Sequence, residues 1–180
     1  GVDADYLKRC ALTVLWALGA CGFLAAGLPP RHVAFRLAGV MPLAMAVAFV
    51  VAQYLPRYAV AHPYALAVNG RFATALLAVA VLFGFGLAAQ DRRWRAAALV
   101  FASYALLGLV HVEVREWMQL RLAGRPGGPD YPIRIALSLL WSAGSLAMLG
   151  GGIRFRCTGA RVVAIFALVV GAVYVWSLYS

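Results

Sequence analysis

Five polar residues crowd the end of one apolar stretch: His111, Glu113, Arg115, Glu116 and Gln119. An imidazole beside a carboxylate is a pairing from which proton relays and ion paths are built. Ionisable groups at membrane depth are costly and are a functional site by default. On a helix, His111 and Arg115, four apart, share one face, while Glu113 and Glu116, three apart, share another. Two faces of different chemistry suit the gating of an ion path or the capture of a headgroup. The competing reading is that the helix leaves the bilayer here and runs on into the interface. Trp117, a residue type enriched at membrane boundaries, favours it. Glu113 could also pair with Arg134 or Arg9 at neighbouring helix starts, which would be a structural use.

A second candidate is basic. Arg31 and Arg36 lie in one short turn, and Arg154, Arg156 and Arg161 in another. The guanidinium is a planar fork of donors matched to phosphate. Two such turns on one side of a membrane would contact anionic headgroups or a lipid-linked phosphate, although plain topological anchoring uses the same residues.

Other chemistries find no support. His32, His62 and His111 have no nucleophile pattern near them. Cys10, Cys21 and Cys157 form no CxxC pair, and no histidine lies close to them, so neither a zinc site nor a disulfide framework is indicated. Gly84-Phe85-Gly86 lies in an apolar helix with no Lys or Ser/Thr after it, so it is not a phosphate loop. Paired histidines at helix centres, as haem or pigment would need, are absent. No enzyme, metal or cofactor is therefore expected.

The elements that must position these residues are set by composition. Of 180 residues, 64% are hydrophobic and 12% charged, and the mean hydropathy is +0.86. An ordinary soluble domain is roughly 45–50% apolar and roughly 25% charged, so lipid must be the solvent here. The net charge of +10 falls mostly between apolar runs, without a basic stripe interleaved with aromatics, which points to membrane lipids and away from nucleic acid.

Six apolar runs follow, at Cys10–Leu28, Leu37–Leu55, Phe72–Gln90, Ala96 to about Val114, Ile135–Ile153 and Val162–Tyr179. None alternates as a barrel strand would, and the backbone in lipid must satisfy itself, so each is expected to be a helix. The expected fold is all-α: one polytopic bundle of six transmembrane helices over residues 1–180. Pro42 should kink the second helix.

The connections at 29–36, 91–95 and 154–161 are short and basic. The opposite side carries five of the six acids and the same eight Lys/Arg, so the count alone does not orient the chain. Short loops with helix-proximal charge favour the first side as cytoplasmic. Both termini are then expected outside, in a bacterial cytoplasmic membrane. Gly124, Pro126, Gly127, Gly128 and Pro129 read as a flexible connector.

Small residues recur every fourth position at Gly22 and Ala26, at Ala80, Gly84 and Ala88, and at Ala143, Ala147 and Gly151. Such columns let helices approach closely, within the chain or against a partner.

The chain also matches itself at an offset of 125 without a gap. Over residues 9–54 against 134–179, thirteen of 46 positions are identical. Shared membrane composition cannot readily supply Trp16/Trp141, Arg9/Arg134, Arg31/Arg156 and Arg36/Arg161 among them. A repeated helical hairpin is expected, copies at about 9–55 and 134–180. Four helices separate equivalents, so the repeat is parallel rather than the inverted kind common in secondary transporters. The second copy ends where the first continues, so the chain is expected to be part of something longer.

SLLWSAGSLAMLGGGIRFR, the Arg161 that follows, and VNGRFATALLAVAVL at 68–82 resemble a family of uncharacterised bacterial multi-pass membrane proteins. These repeat a Ser-Leu-Leu-Trp helix, a glycine-plus-basic turn, an Arg-led helix and an Asn-x-Arg-Phe helix start. The resemblance covers about two thirds of the chain and implies architecture, with more spans than six, and no particular chemistry. Family members often place a Lys and then an Asp late in the Arg-led helix, whereas GAVYVWSLYS here has neither.

The function expected from these residues is that of a non-enzymatic structural or accessory subunit of a membrane assembly. Its partners would be lipids, and either other membrane chains or missing parts of its own. The alternative is a carrier of a lipid, a lipid-linked intermediate or a small solute.

Overall fold

The computed structural model describes residues 4–28, 33–53, 69–123, 129–154 and 156–177. Arg31, Pro29-Pro30, the connector at 54–68 and the glycine-rich segment at 124–128 lie outside them. Six helices account for nearly all of the described chain: α1 Ala4–Ala26, α2 Val33–Gln53, α3 Gly70–Ala88, α4 Arg92–Leu122, α5 Asp130–Arg154 and α6 Thr158–Trp176.

Local chemistry sets several of the boundaries. Asn69 caps α3, its Oδ1 accepting from the Phe72 amide at 2.7 Å. That is the physical content of the Asn-x-Arg-Phe start, a side-chain acceptor for an amide with no intrahelical partner. Asp91 does the same for α4, accepting from the amides of Arg93 at 2.8 Å and Trp94 at 3.4 Å. α2 runs on through Pro42. Pro132 sits in the first turn of α5, where a missing N–H costs nothing.

α5 ends in a Schellman motif. The Cys157 amide donates to the Gly152 carbonyl at 2.8 Å and the Arg156 amide to the Ile153 carbonyl at 3.2 Å. Arg156 takes the left-handed conformation, with φ of 51°, at a place where glycine is usual.

α4 outruns its apolar core. Its 31 residues span about 46 Å at 1.5 Å each, against a hydrocarbon thickness of about 30 Å. The sequence-based run stops near Val114; the helix continues through Trp117 to Leu122. Arg121 lies over the Trp117 ring at 6.0 Å.

The chain divides into two compact units, Gly1–Ala102 and Ser103–Ser180. In the first, α1 packs against α2 along Thr13, Ala17, Ala20, Leu24 and Gly27 on one side and Gly39, Pro42 and Ala46 on the other, all buried. Ala78 of α3 joins Ala17 and Ala46. Nearer the helix ends, Phe85 and Ala89 join Ala20 and Leu24, with Ala98 from the start of α4. In the second unit Leu107 of α4, Trp141 of α5 and Ala167 of α6 form the core. The cores are rich in alanine because lipid tails are as apolar as leucine: helices associate in lipid by close approach, which small side chains permit.

The two hairpins close alike. Six pairs related by the offset of 125 are buried at both members: Thr13/Ser138, Ala20/Ser145, Gly27/Gly152, Gly39/Ala164, Pro42/Ala167 and Ala46/Gly171. In each hairpin a glycine lies against the stem of the arginine nine residues later. A Cβ on Gly27 would stand 2.4 Å from Arg36 Cγ, and one on Gly152 would stand 2.8 Å from Arg161 Cγ.

Candidate functional site

The polar residues at the end of α4 differ in burial. His111 is half-buried, Glu113 is buried at 1% exposure, Glu116 is half-buried and Arg115 is exposed. His111 also meets residues from the other helices of its unit.

Trp141 Nε1, on α5, donates to His111 Nδ1 at 2.8 Å. The hydroxyl of Tyr174, on α6, lies 3.5 Å from His111 Nε2. An indole N–H can only donate, so Nδ1 must be the bare nitrogen and the proton of the neutral ring sits on Nε2, facing Tyr174. Tyr104, one helical stretch earlier on α4, completes the cluster with an edge-on contact to Trp141, ring centroids 5.6 Å apart. His111 itself meets the Trp141 ring edge-on at 5.9 Å. One imidazole therefore ties three helices together, and both of its nitrogens face a polar atom.

Two further hydrogen bonds join α5 to α6. Ser145 Oγ donates to the Ala164 carbonyl at 2.6 Å, and Arg134 Nη1 donates to the Ser177 carbonyl. The first is buried between the helices; the second fastens the start of α5 to the end of α6. Glu113 is among the largest fully buried side chains, with Leu137 and Thr13. A carboxyl at that depth must be hydrogen-bonded or paired, and Glu113 does have an interaction partner.

The basic turns differ. Arg154, Arg156 and Arg161 are exposed, but Arg36 is 7% exposed, its stem lying over Gly27. Its Nε is buried without a hydrogen-bond partner among the described residues.

The small-residue columns face outward. Gly22, Ala26, Ala80, Gly84, Ala88, Ala143 and Ala147 are exposed and Gly151 is half-buried. A Cβ on Gly22, Gly84 or Gly151 would meet nothing within 4 Å. The helices of each unit pack instead through the seven-residue steps Thr13–Ala20–Gly27 and Ser138–Ser145–Gly152. One outward column borders a cavity: Ala80, Gly84 and Ala88 of α3, with Cys21, Leu24, Ala25 and Leu28 across from them, line an open groove of about 310 Å³ that is almost wholly apolar.

Sequence reasoning missed Trp141 and Tyr174 as partners of His111, and Ser145 as a link between α5 and α6. Only Trp141 carried a signal, as the residue matched to Trp16 in the self-alignment. Among the described residues, no group of three or more His, Cys, Asp or Glu is placed to hold a metal ion.

All six helices contain a stretch of at least 18 residues long and apolar enough to cross a bilayer. With no strand among the described residues, they define a multi-pass α-helical membrane protein. No protein family, no curated protein and no solved structure matches the chain.

Proposed function

We propose that this protein is a non-enzymatic subunit of a larger membrane assembly, in a bacterial cytoplasmic membrane with both termini outside. The observation that carries the reading is the outward column Ala143, Ala147 and Gly151 on α5. Its own hairpin does not use that column, since α5 meets α6 through Ser145 and Gly152. Helix association in lipid depends on backbones coming close, and a smooth outward column on an otherwise bulky surface supports docking of another span there.

The test is extraction from the native membrane in mild detergent, followed by native mass spectrometry and cross-linking. Stoichiometric membrane-protein partners are expected with the wild-type chain and are lost from Ala147→Leu/Gly151→Leu while the helical signal is kept. A chain that arrives alone in every mild detergent overturns the reading.

The second reading is a carrier of a lipid, a lipid-linked intermediate or a small solute, and the buried Glu113 favours it. It requires Glu113→Gln to abolish binding or transport. The subunit reading requires that substitution to leave partner capture intact.

A further inference from the structure

The apolar groove between α1 and α3 reaches, at Leu28 and Ala88, a strongly basic end of its unit. Leu24 and Leu28 stand level with Phe85 and Ala89, in one cluster that also takes in Trp94. After Ala89 and Gln90 come Asp91, Arg92, Arg93 and Arg95, all exposed. Arg95 Nε is held on the Ala89 carbonyl at 2.9 Å, which keeps that side chain over the end of α3. Arg36, in the first turn of α2, brings its stem onto Gly27, and its buried Nε lacks an acceptor among the described residues. Against four arginines stands one acid, Asp91, whose carboxylate is engaged in capping α4. An amphipathic ligand with an apolar tail and an anionic head complements this arrangement.

The open, apolar groove of about 310 Å³ suits a flexible hydrocarbon chain. The tail gains no hydrophobic energy by moving from bilayer to groove, because both are apolar. Selection among lipids must therefore come from the head, where guanidinium forks bind phosphate in bidentate fashion.

We infer that the α1/α3 groove holds one acyl chain of an anionic phospholipid, with its headgroup phosphate on the arginines at 92–95 and Arg36. The lipid is a fixed constituent of the protein in its membrane. The inference does not rest on the subunit reading, which concerns a face of α5 in the other unit.

The full chain is reconstituted into nanodiscs of equal phosphatidylglycerol and phosphatidylcholine, released into mild detergent, and its retained lipid counted by native mass spectrometry. About one phospholipid per chain is expected, enriched several-fold in phosphatidylglycerol. Gly84→Leu fills the groove from a position where a Cβ meets nothing within 4 Å, and should lower retention at least five-fold. Ala80→Leu, at an exposed groove position, serves the same purpose if the first variant misfolds. Arg92→Gln/Arg93→Gln should keep the lipid and lose the preference for phosphatidylglycerol. Equal retention by wild type and both groove-filled variants overturns the inference. So does a wild type that shows no headgroup preference, or, in the native membrane, a protein cross-linked to Cys21 in the groove in place of lipid.

Discussion

Adding one methyl group at the closest point of each hairpin tests the packing most directly. A Cβ built on Gly27 would stand 2.4 Å from Arg36 Cγ and 2.7 Å from the Arg36 amide nitrogen. Ordinary carbon contacts lie at about 3.5–4.0 Å, so the overlap is about 1 Å. The side chain of Arg36 can swing aside, but its backbone nitrogen cannot, and α1 and α2 must separate. Gly152→Ala meets the equivalent obstruction more mildly, at 2.8 Å from Arg161 Cγ and 3.0 Å from its nitrogen. Overpacking of this kind costs about 1–3 kcal/mol. Gly22, by contrast, has open space where its Cβ would stand, and Gly→Ala in a helix gains roughly 0.5–1 kcal/mol. Gly27→Ala and Gly22→Ala should therefore differ by about 1.5–4 kcal/mol. At roughly 2–4 °C per kcal/mol for a chain of this size, the melting temperatures should be separated by roughly 3–16 °C, with Gly152→Ala between them. Thermal melts in detergent, followed by far-UV circular dichroism, read this out. A Gly27→Ala protein that melts no lower than Gly22→Ala refutes the packing described for α1 and α2.

Three further outcomes follow from the second unit and the turns. Ser145→Ala removes the 2.6 Å bond to the Ala164 carbonyl; interhelical hydrogen bonds in membranes contribute about 0.6 kcal/mol on average and about 1.7 at most, so denaturant unfolding should show a loss within that range. Trp141→Phe strips the donor from His111 Nδ1 and should cost about 1–3 kcal/mol; combined with His111→Phe, the loss should be less than the sum of the two, and strict additivity would show that the pair does not interact. Cys157, half-buried at the start of α6, should react with a membrane-impermeant maleimide only after cells are permeabilised. Labelling of intact cells would reverse the proposed orientation.

The spans were legible because apolar length is a one-dimensional property. Each of the six runs reappears as a helix, shifted by a few residues at its ends. The shifts came from capping chemistry: Asp91 and Asn69 start helices on polar residues that a hydropathy profile excludes, and α4 carries its amphipathic tail past Val114 to Leu122. Which face of a span packs was not legible. In a soluble helix the buried face is the apolar one; here every face is apolar, and spacing by fours picked out Ala143/Ala147/Gly151 as readily as any other column. The packed columns step by seven instead, and Ser138 and Ser145 are polar, a residue type that patterning assigns to the surface. The polar site was half legible. His111 and Glu113 stood out by cost, but the residues that hold His111 lie 30 and 63 positions away, on helices whose rotation about their axes spacing cannot give.

The turn after α5 binds geometry and charge to one residue. Arg156 keeps φ at 51°, a conformation that costs an L-residue roughly 1–2 kcal/mol and glycine almost nothing. Two neutralising substitutions therefore pull in opposite directions. Arg156→Gly discards the charge and relaxes the backbone, whereas Arg156→Gln discards the charge and keeps the strain. Wherever a cation at this turn matters, to lipid or to orientation, the pair separates what the side chain does from what its backbone endures. A protein made sturdier by Arg156→Gly and yet less functional would show that this arginine is retained at the expense of stability.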